Sequence, residues 1–189
     1  MPHPLDLHLL IDRSGSMSHL AATVVTEANL LVDRIATDAP AATVTVATFD
    51  STDPFHVVRD RVPARHFLPL LRHEYRPGGG TPLLDALGAL IGGATHVANA
   101  DRHTDQRRPT VLAVMTDGEE NDSQRYDHAT IAGKLARRRA AGWRLLYLGP
   151  GSRQGALIGF RPAEIQPWEA TAAGTGLAFQ TIADFTLGQ

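Results

Sequence analysis

Cysteine is absent from this 189-residue chain, so it has no disulfide, no thiolate metal site and no cysteine nucleophile. No apolar run approaches the roughly 20 residues that a membrane-spanning helix needs. The first residues, MPHPLD, lack the basic start of a secretory leader and run directly into a strand-like segment. We therefore expect a cytoplasmic protein that does not contact a membrane.

Strong net charge is also missing. The chain carries 18 basic and 20 acidic residues, a formal charge of −2, which gives no reason to expect a nucleic-acid partner. Lys134 is the single lysine, so chemistry that needs a buried or phosphate-binding lysine has one candidate. The apolar fraction of 43% and the charged fraction of 20% are typical of a globular protein. The length suits one domain over 1–189, with a core at about 5–150 and a C-terminal extension at about 151–189 that matches no known functional motif.

Hydrophobic patterning predicts strands that alternate with helices. The predicted strands are 5–11, 42–49, 55–62, 110–115 and 143–148. Helical periodicity begins at Ser18, and further helices are predicted at 64–75, after Pro82, at 126–141 and, weakly, at 175–185, with a polar connector at 99–109. This order predicts an α/β, Rossmann-like fold: a mainly parallel sheet with helices on both faces and one antiparallel edge strand, from the 42–62 hairpin.

Three polar clusters follow elements of this predicted sheet. The first strand ends in Asp12-Arg13-Ser14-Gly15-Ser16, a glycine loop at 78–80 leads to Thr81, and the strand at 110–115 leads to Asp117-Gly118. Ligands of open α/β sheets bind at the carboxyl ends of the strands, where these clusters should meet. Carboxylate and hydroxyl oxygens are the ligands that Mg²⁺ prefers. The sequence therefore predicts a magnesium-type site formed by Asp12, Ser14, Ser16, Thr81 and Asp117. Mn²⁺ or Ca²⁺ would also suit these ligands.

The ligand types also indicate what such a site does. Serine and threonine hydroxyls are neutral, so two aspartates only partly offset the charge of a dication. A metal with an open position then favours an external anionic oxygen, most simply an Asp or Glu carboxylate of a partner protein. A hydrolase would need, in addition, a base beside a metal-bound water.

These residues resemble the metal-ion-dependent adhesion site of von Willebrand factor A domains. Asp12-Arg13-Ser14-Gly15-Ser16 matches the DxSxS motif of that family, and Thr81 and Asp117 match its other two motifs in order. The similarity covers roughly residues 5–150, and 142–149 is similar to the late strand of small stand-alone bacterial members. The resemblance implies a Rossmann-like domain that binds a divalent cation and uses it to hold an acidic residue of a partner. It also implies that Thr81 and Asp117 alternate between direct and water-mediated contact with the ion.

Simpler interpretations accompany each of these residues. Ser16 and Thr81 are also suitable helix caps, although capping does not account for aspartates at strand ends. Arg13, Gly80 and Glu119 are candidates for partner contact, and Arg13 is expected to be exposed. Residues 119–122 tune the metal's field, hold a second cation or, more simply, form a solvated loop. His19 is a weak candidate base, better explained as polar surface, and His103 is expected to be exposed. Residues 149–155 echo a dinucleotide fingerprint with the wrong spacing, which favours a plain turn.

The main hypothesis is thus a non-enzymatic, metal-dependent protein-binding module of a bacterial multiprotein or stress-response system. One alternative is a metal-dependent phosphatase or nuclease, motivated by the open metal position alone. A second is a structural or self-assembling protein in which the site serves folding or binds an acid of a neighbouring copy. The sequence does not fix the oligomeric state.

Overall fold

The computed structural model describes residues 4–101 and 108–189, which form a central sheet with helices on both faces. The strands are β1 (Asp6–Asp12), β2 (Thr43–Phe49), β3 (His56–Pro63), β4 (Thr110–Met115), β5 (Arg144–Gly149) and β6 (Ile165–Pro167). The helices are α1 (Ala21–Asp38), α2 (Leu83–Asp101), α3 (His128–Ala140), α4 (Ser152–Ile158) and α5 (Ala172–Leu187). Short 3₁₀ turns occupy Gly15–Leu20, Ala64–His66, Arg72–Glu74 and Pro162–Glu164.

The sheet has the order β3-β2-β1-β4-β5-β6, and every neighbouring pair is parallel except β2 and β3. The predicted fold class is confirmed, including the single antiparallel edge strand. Because β1 and β4 are adjacent and parallel, their carboxyl ends lie side by side. This arrangement brings the residues after Asp12 next to those after Met115.

Both faces of the central strands are buried, so every residue of β1 and β4 is buried and apolar side chains occupy both faces instead of alternating with exposed polar ones. Leu7, Leu9 and Ile11 of β1 point into the core beneath α1 and α5. Leu10 points into the second core, which contains buried residues of α2 and α3. The loops that carry the candidate metal ligands therefore follow strands that are packed on both faces.

The predicted helix at 64–75 is wrong. Only the two 3₁₀ turns form there, and the chain between them is extended over 67–71. The side chain of Asn29 on α1 explains this, because it donates from Nδ2 to Leu70 O (3.1 Å) and accepts from Leu70 N (2.8 Å) at Oδ1. A side chain distant in sequence thus satisfies backbone groups that a helix would have paired internally.

The polypeptide after Gly149 has more structure than expected. The plain turn predicted at 149–155 is wrong for 152–155, which already belong to α4, so that only 150–151 form the bend; β6 pairs in parallel with β5, and α5 exceeds the predicted 175–185 at both ends. Phe179 and Ile182 of α5 are buried in the α1 core. Within the polar connector predicted at 99–109, residues 99–101 belong to α2, whereas 102–107, including His103, lie outside the described residues. In the described ranges, no helix is long and apolar enough to cross a membrane.

Candidate metal centre

Two of the predicted metal-binding segments meet through hydrogen bonds at the carboxyl edge of the sheet. Asp12 Oδ1 accepts from the backbone N–H of Ser14 (2.7 Å), which curls the loop back over the end of β1. The Ser14 and Ser16 hydroxyl oxygens are 3.1 Å apart, and Ser16 Oγ donates to Asp117 Oδ1 (2.7 Å). Ser14, Ser16 and Asp117 thus form one chain of side-chain contacts across β1 and β4.

Thr81 joins this group from the third segment. A methyl group built on Gly118 would lie 3.3 Å from Thr81 Oγ1 and 4.0 Å from Asp12 Oδ2, so both oxygens lie beside Gly118. Thr81 and Asp12 are 3% and 0% exposed, whereas Ser16 is exposed and Asp117 is half-buried. The structure therefore brings all five predicted residues together, with the group open to solvent on the Ser16 and Asp117 side.

The Asp12 carboxyl is buried, and this burial determines how readily it carries a negative charge. Burial raises the pKa of the Asp12 carboxyl, and hydrogen bonds from Thr116 Oγ1 and the Ser14 N–H partly oppose that rise. The nearby Asp117 carboxylate raises the pKa further. A buried carboxylate is normally paired with a cation or coordinates a metal. A divalent ion would supply the missing positive charge, so the buried carboxylate and hydroxyl oxygens fit a hard cation.

A site built from imidazole and carboxylate ligands is not present in the described ranges. No group of three or more His, Asp or Glu side chains there is arranged to hold a metal ion. The candidate centre depends instead on the hydroxyls of Ser14, Ser16 and Thr81, as hard-cation chemistry permits.

Glycines hold the loop that precedes Thr81 against the loop that follows β1 at residues 13–16, which we call the first loop. Gly15 N donates to Gly79 O (3.0 Å), and Gly78 N donates to Arg13 O (2.9 Å). Gly79 has φ of 67°, and a Cβ there would lie 2.3 Å from Ser51 Oγ, so both its conformation and its contacts require glycine. These bonds position Thr81 relative to Ser14 and Ser16.

A family model for the von Willebrand factor type A domain matches residues 6–154 of the chain. The chain belongs to this family. The match includes all five candidate residues and ends within α4, so most of α4, β6 and α5 lie beyond it. No curated protein matches the chain.

Several solved structures share the fold of this chain at low sequence identity. A pilus adhesin of Lactobacillus rhamnosus GG, SpaC, is 14% identical with a TM-score of 0.71; the alignment covers 98% of this chain and 30% of the adhesin. Manganese-loaded TRAP of Plasmodium vivax is 20% identical with a TM-score of 0.63; the alignment covers 93% of this chain and 72% of TRAP. Proximal thread matrix protein 1 of the mussel byssus, with zinc in its MIDAS motif, is 12% identical with a TM-score of 0.66. That alignment covers 98% of this chain and 48% of the mussel protein. The chain therefore spans less than half the length of two of these three proteins.

The loop after Asp117 in this VWA domain is built into the fold instead of being merely solvated. Glu120 accepts from Leu84 N (2.9 Å) at the start of α2, and Asn121 Oδ1 accepts from Thr81 N (2.8 Å). The Asp85 carboxylate in turn accepts from three consecutive backbone N–H groups at 124–126. Glu119 itself is exposed. These contacts fix Thr81 relative to Asp117 and were not predicted, because they join residues about 35 to 40 positions apart.

The expectation that Arg13 is exposed is wrong. Its side chain is 13% exposed, and its Nε donates to Asp50 Oδ2 at 2.8 Å. This ion pair fastens the first loop to the segment after β2. Gly80, the second residue predicted for partner contact, donates its N–H to Ser51 Oγ (2.8 Å), and a Cβ there would come within 2.9 Å of Asn121 Oδ1.

His19 links the loop after β1 to the segment before α5 through its two ring nitrogens. Nδ1 lies 2.9 Å from Ser16 O, and Nε2 lies 2.9 Å from Ala170 O. Hydrogen bonding to Ala170 O, and then to Ser16 O, raises the pKa of His19, so the ring favours its protonated form. A ring held between two carbonyl oxygens acts as a donor, which is the opposite of a general base.

Three supporting residues escaped the sequence analysis. Tyr75 donates its hydroxyl to Asp12 O, and Trp168 donates Nε1–H to Thr116 O (3.0 Å). Thr116 also donates its hydroxyl to Asp12 Oδ2. Thr116 directly precedes Asp117, a position that could have suggested its role. Tyr75 and Trp168 gave no local signal because their bonds connect distant segments.

Replacing Trp168 by Phe should weaken both folding and metal binding. The change leaves the buried Thr116 carbonyl without its donor, which we expect to lower the free energy of unfolding by about 1–3 kcal/mol. It also loosens the backbone beside Asp117, so the affinity for Mn²⁺ should fall. Urea unfolding and calorimetric titration measure the two effects.

Trp143→Phe is the matched control for this prediction. Trp143 is equally buried, at 7% exposed, but it packs against His8. It should therefore lose stability without any change in Mn²⁺ affinity. Equal metal affinities for the two variants would contradict a role of Trp168 in positioning the centre.

Proposed function

We propose that this VWA domain is a protein-binding module that holds a divalent cation with Asp12, Ser14, Ser16, Thr81 and Asp117. The cation, Mg²⁺ in the first instance, presents a free position to an Asp or Glu of a partner protein. The partner belongs to a bacterial multiprotein or stress-response system in this proposal. The observation that carries it is the convergence of a buried carboxylate, three hydroxyls and a second carboxylate from three separate segments.

The charge of the donor set supports an external carboxylate as the ligand. Only Asp12 and Asp117 among the five carry charge, which leaves a bound dication incompletely neutralised. The exposed side of the group, at Ser16 and Asp117, is the side from which an external group would approach. An anionic oxygen from outside would complete both the coordination and the charge balance.

Binding is favoured over catalysis by what surrounds the donors. His19, the histidine nearest to the first loop in sequence, is held between two backbone carbonyls and favours its protonated state. Tyr75 is held as a hydroxyl donor, and burial followed by the field of Asp12 raises its pKa well above the usual value. Both groups act as hydrogen-bond donors in the fold, which disfavours either as the base of a hydrolase. The manganese-loaded and zinc-occupied relatives add support for a divalent ion here.

Calorimetric titration with Mn²⁺ tests the metal site directly. The parent should bind one ion, and Ser14→Ala should lose most of the affinity because a hydroxyl ligand is gone. Ser18→Ala is the matched control: Ser18 belongs to the same turn, but its hydroxyl donates to Gly15 O (2.6 Å) and is not one of the five donors. Binding that Ser14→Ala leaves unchanged would exclude the proposed ligand set.

A second experiment tests the carboxylate of the partner. The parent and Ser14→Ala proteins are immobilised and exposed to a native bacterial lysate with Mg²⁺ and, separately, with chelator. A protein retained only by the parent and only with Mg²⁺ is then purified, and its contact region is mapped by cross-linking. Replacing the mapped Asp or Glu by Asn or Gln should abolish retention; retention that persists would refute the proposed recognition.

A further inference from the structure

A cavity of about 360 Å³ lies away from the metal candidates, between the β2–β3 hairpin and the second half of α2. His8 of β1 contributes to its lining, four residues before Asp12 and therefore about 13 Å along the strand. The volume falls within the range of small-molecule sites, roughly 300–1,000 Å³. The proposed metal function makes no use of this cavity.

The buried end of the cavity contains a polar atom that has no partner among the residues that the structure describes. His8 is 4% exposed, and its Nδ1 makes no hydrogen bond within the described part of the chain. A buried polar atom without a partner is uncommon in native proteins and calls for an explanation such as a bound molecule. Burial lowers the pKa of His8 to about 4, so the ring is uncharged at neutral pH and offers one donor and one acceptor.

A backbone irregularity directs two further side chains to the same cavity. Val62 pairs with Val44 and Arg59 with Val46, so Asp60 and Arg61 together oppose Thr45 in a β-bulge. Arg61 has φ of 46°, which is unfavourable for a residue with a side chain. Bulges and such conformations are enriched at functional sites, where they redirect side chains. Asp60 and Arg61 both line the cavity.

The remaining lining determines what kind of molecule fits. Phe55, Val57, Leu90 and Ala94 form apolar walls, and an aromatic ring suits the space beside Phe55 and the flat ring of His8. Arg61 Nη2 lies 3.4 Å from Asp6 Oδ2, so its charge is already matched within the protein. Because His8 is neutral and Arg61 is paired, an anionic ligand would find no free positive charge among the buried lining groups.

We propose that this cavity binds a small, uncharged aromatic molecule with one hydrogen-bonding group, such as a phenol, an indole or an aromatic amide. The ring packs between Phe55 and Leu90, and the polar group bonds to the imidazole of His8. The site is independent of the metal centre. Binding should therefore be unchanged in chelator.

Ligand-observed NMR with phenol, indole and benzamide tests the proposal on the whole chain. These probes should bind with a Kd on the order of 1 mM, as expected for molecules of this size. Toluene lacks the hydrogen-bonding group and benzoate is charged, so each should bind about tenfold more weakly. The ¹⁵N signals of the His8 ring should shift on addition of phenol. A His8 signal that moves with none of the probes would mean that the cavity holds only water.

Two adjacent glycines of α2 provide a matched pair of variants that avoids the buried histidine. Gly93 lines the cavity, whereas Gly92 lines a separate groove with Lys134 and Arg137, and a Cβ on either meets no atom within 4 Å. Gly93→Leu should fill the cavity and weaken phenol binding at least about tenfold, while Gly92→Leu should bind as the parent does. Equal binding by both variants would place the probes elsewhere and overturn the proposal.

Discussion

Replacing Asp12 by Asn is expected to abolish the stabilisation that Mg²⁺ or Mn²⁺ gives to the folded VWA domain. A ligand that binds only the folded state at about 100 times its Kd stabilises it by about 2.7 kcal/mol. For a domain of this size that corresponds to a rise in Tm of roughly 5–10 °C. Asn keeps the shape of Asp12 and the bond from Ser14 N, but it lacks the negative charge that the cation offsets. Thermal unfolding with and without metal measures the difference.

The same variant gives a second, opposite signal in chelator. Asp12 is 0% exposed, and burial raises the pKa of its carboxyl. The ionised carboxylate therefore destabilises the folded state when no cation is bound. Removing that charge should leave the unfolding free energy unchanged or increase it. A large loss of stability in chelator would show that Asp12 is structural, and an undiminished rise in Tm with Mg²⁺ would show that the ion binds elsewhere.

Asp50→Asn is the matched control for Asp12→Asn. Asp50 is also buried, at 4% exposed, and lies next to the first loop, but it pairs with Arg13 and accepts the N–H groups of residues 52 and 53. This variant should lose about 1–3 kcal/mol in chelator because a charged hydrogen bond is removed. It should nevertheless keep its rise in Tm with Mg²⁺.

The location of the site was predictable because its signal is local. A strand buried on both faces is mostly apolar, so Asp12 stands out at the end of the run Leu9–Ile11, and Asp117 stands out two residues after the run Val111–Met115. Parallel pairing of β1 with β4 then forces the two loops together without any further information. Thr81 required one more step, the recognition that a glycine loop before a proline-started helix leads back to the same edge.

The contacts that support the site were not predictable from local pattern. Arg13 has the charge of a surface residue, and only the fold places Asp50 beside it. Trp168 resembles any buried aromatic residue until β6 pairs with β5 and brings its Nε1 to Thr116 O. The strand β6 has three residues, which is too short for an alternating pattern to be recognised.

The error at 64–75 has the same physical origin. Leu68, Leu71 and Tyr75 have helical spacing, and a spacing of three or four residues normally indicates a buried helix face. In the structure Leu68 and Leu71 are 72% and 53% exposed, so the spacing does not mark a packed face. The backbone is held by Asn29 and by the bond from Tyr75 to Asp12 O, which are tertiary contacts that local propensity does not contain.

The burial of His8 predicts a marked loss of stability in mild acid. Burial lowers the pKa of His8 to about 4, whereas Asp6 and Asp60 raise it and Arg61 lowers it to smaller extents. The unfolded chain takes up the proton near pH 6.5, so the stability that neutral His8 contributes is complete above that pH and is lost as the pH falls towards 4. The shift corresponds to about 3 kcal/mol at its full extent. Urea unfolding between pH 7.5 and 4.5 measures it.

His8→Phe separates this effect from the other groups that titrate in the same range. Phe keeps an aromatic ring against Trp143 but takes up no proton, so between pH 7.5 and 4.5 the variant should lose about 2–3 kcal/mol less than the parent. His66→Gln removes an exposed histidine and should follow the parent curve. If His8→Phe also follows the parent curve, the loss of stability in acid arises from carboxylates instead, and the pKa of His8 in the folded protein is close to its usual value.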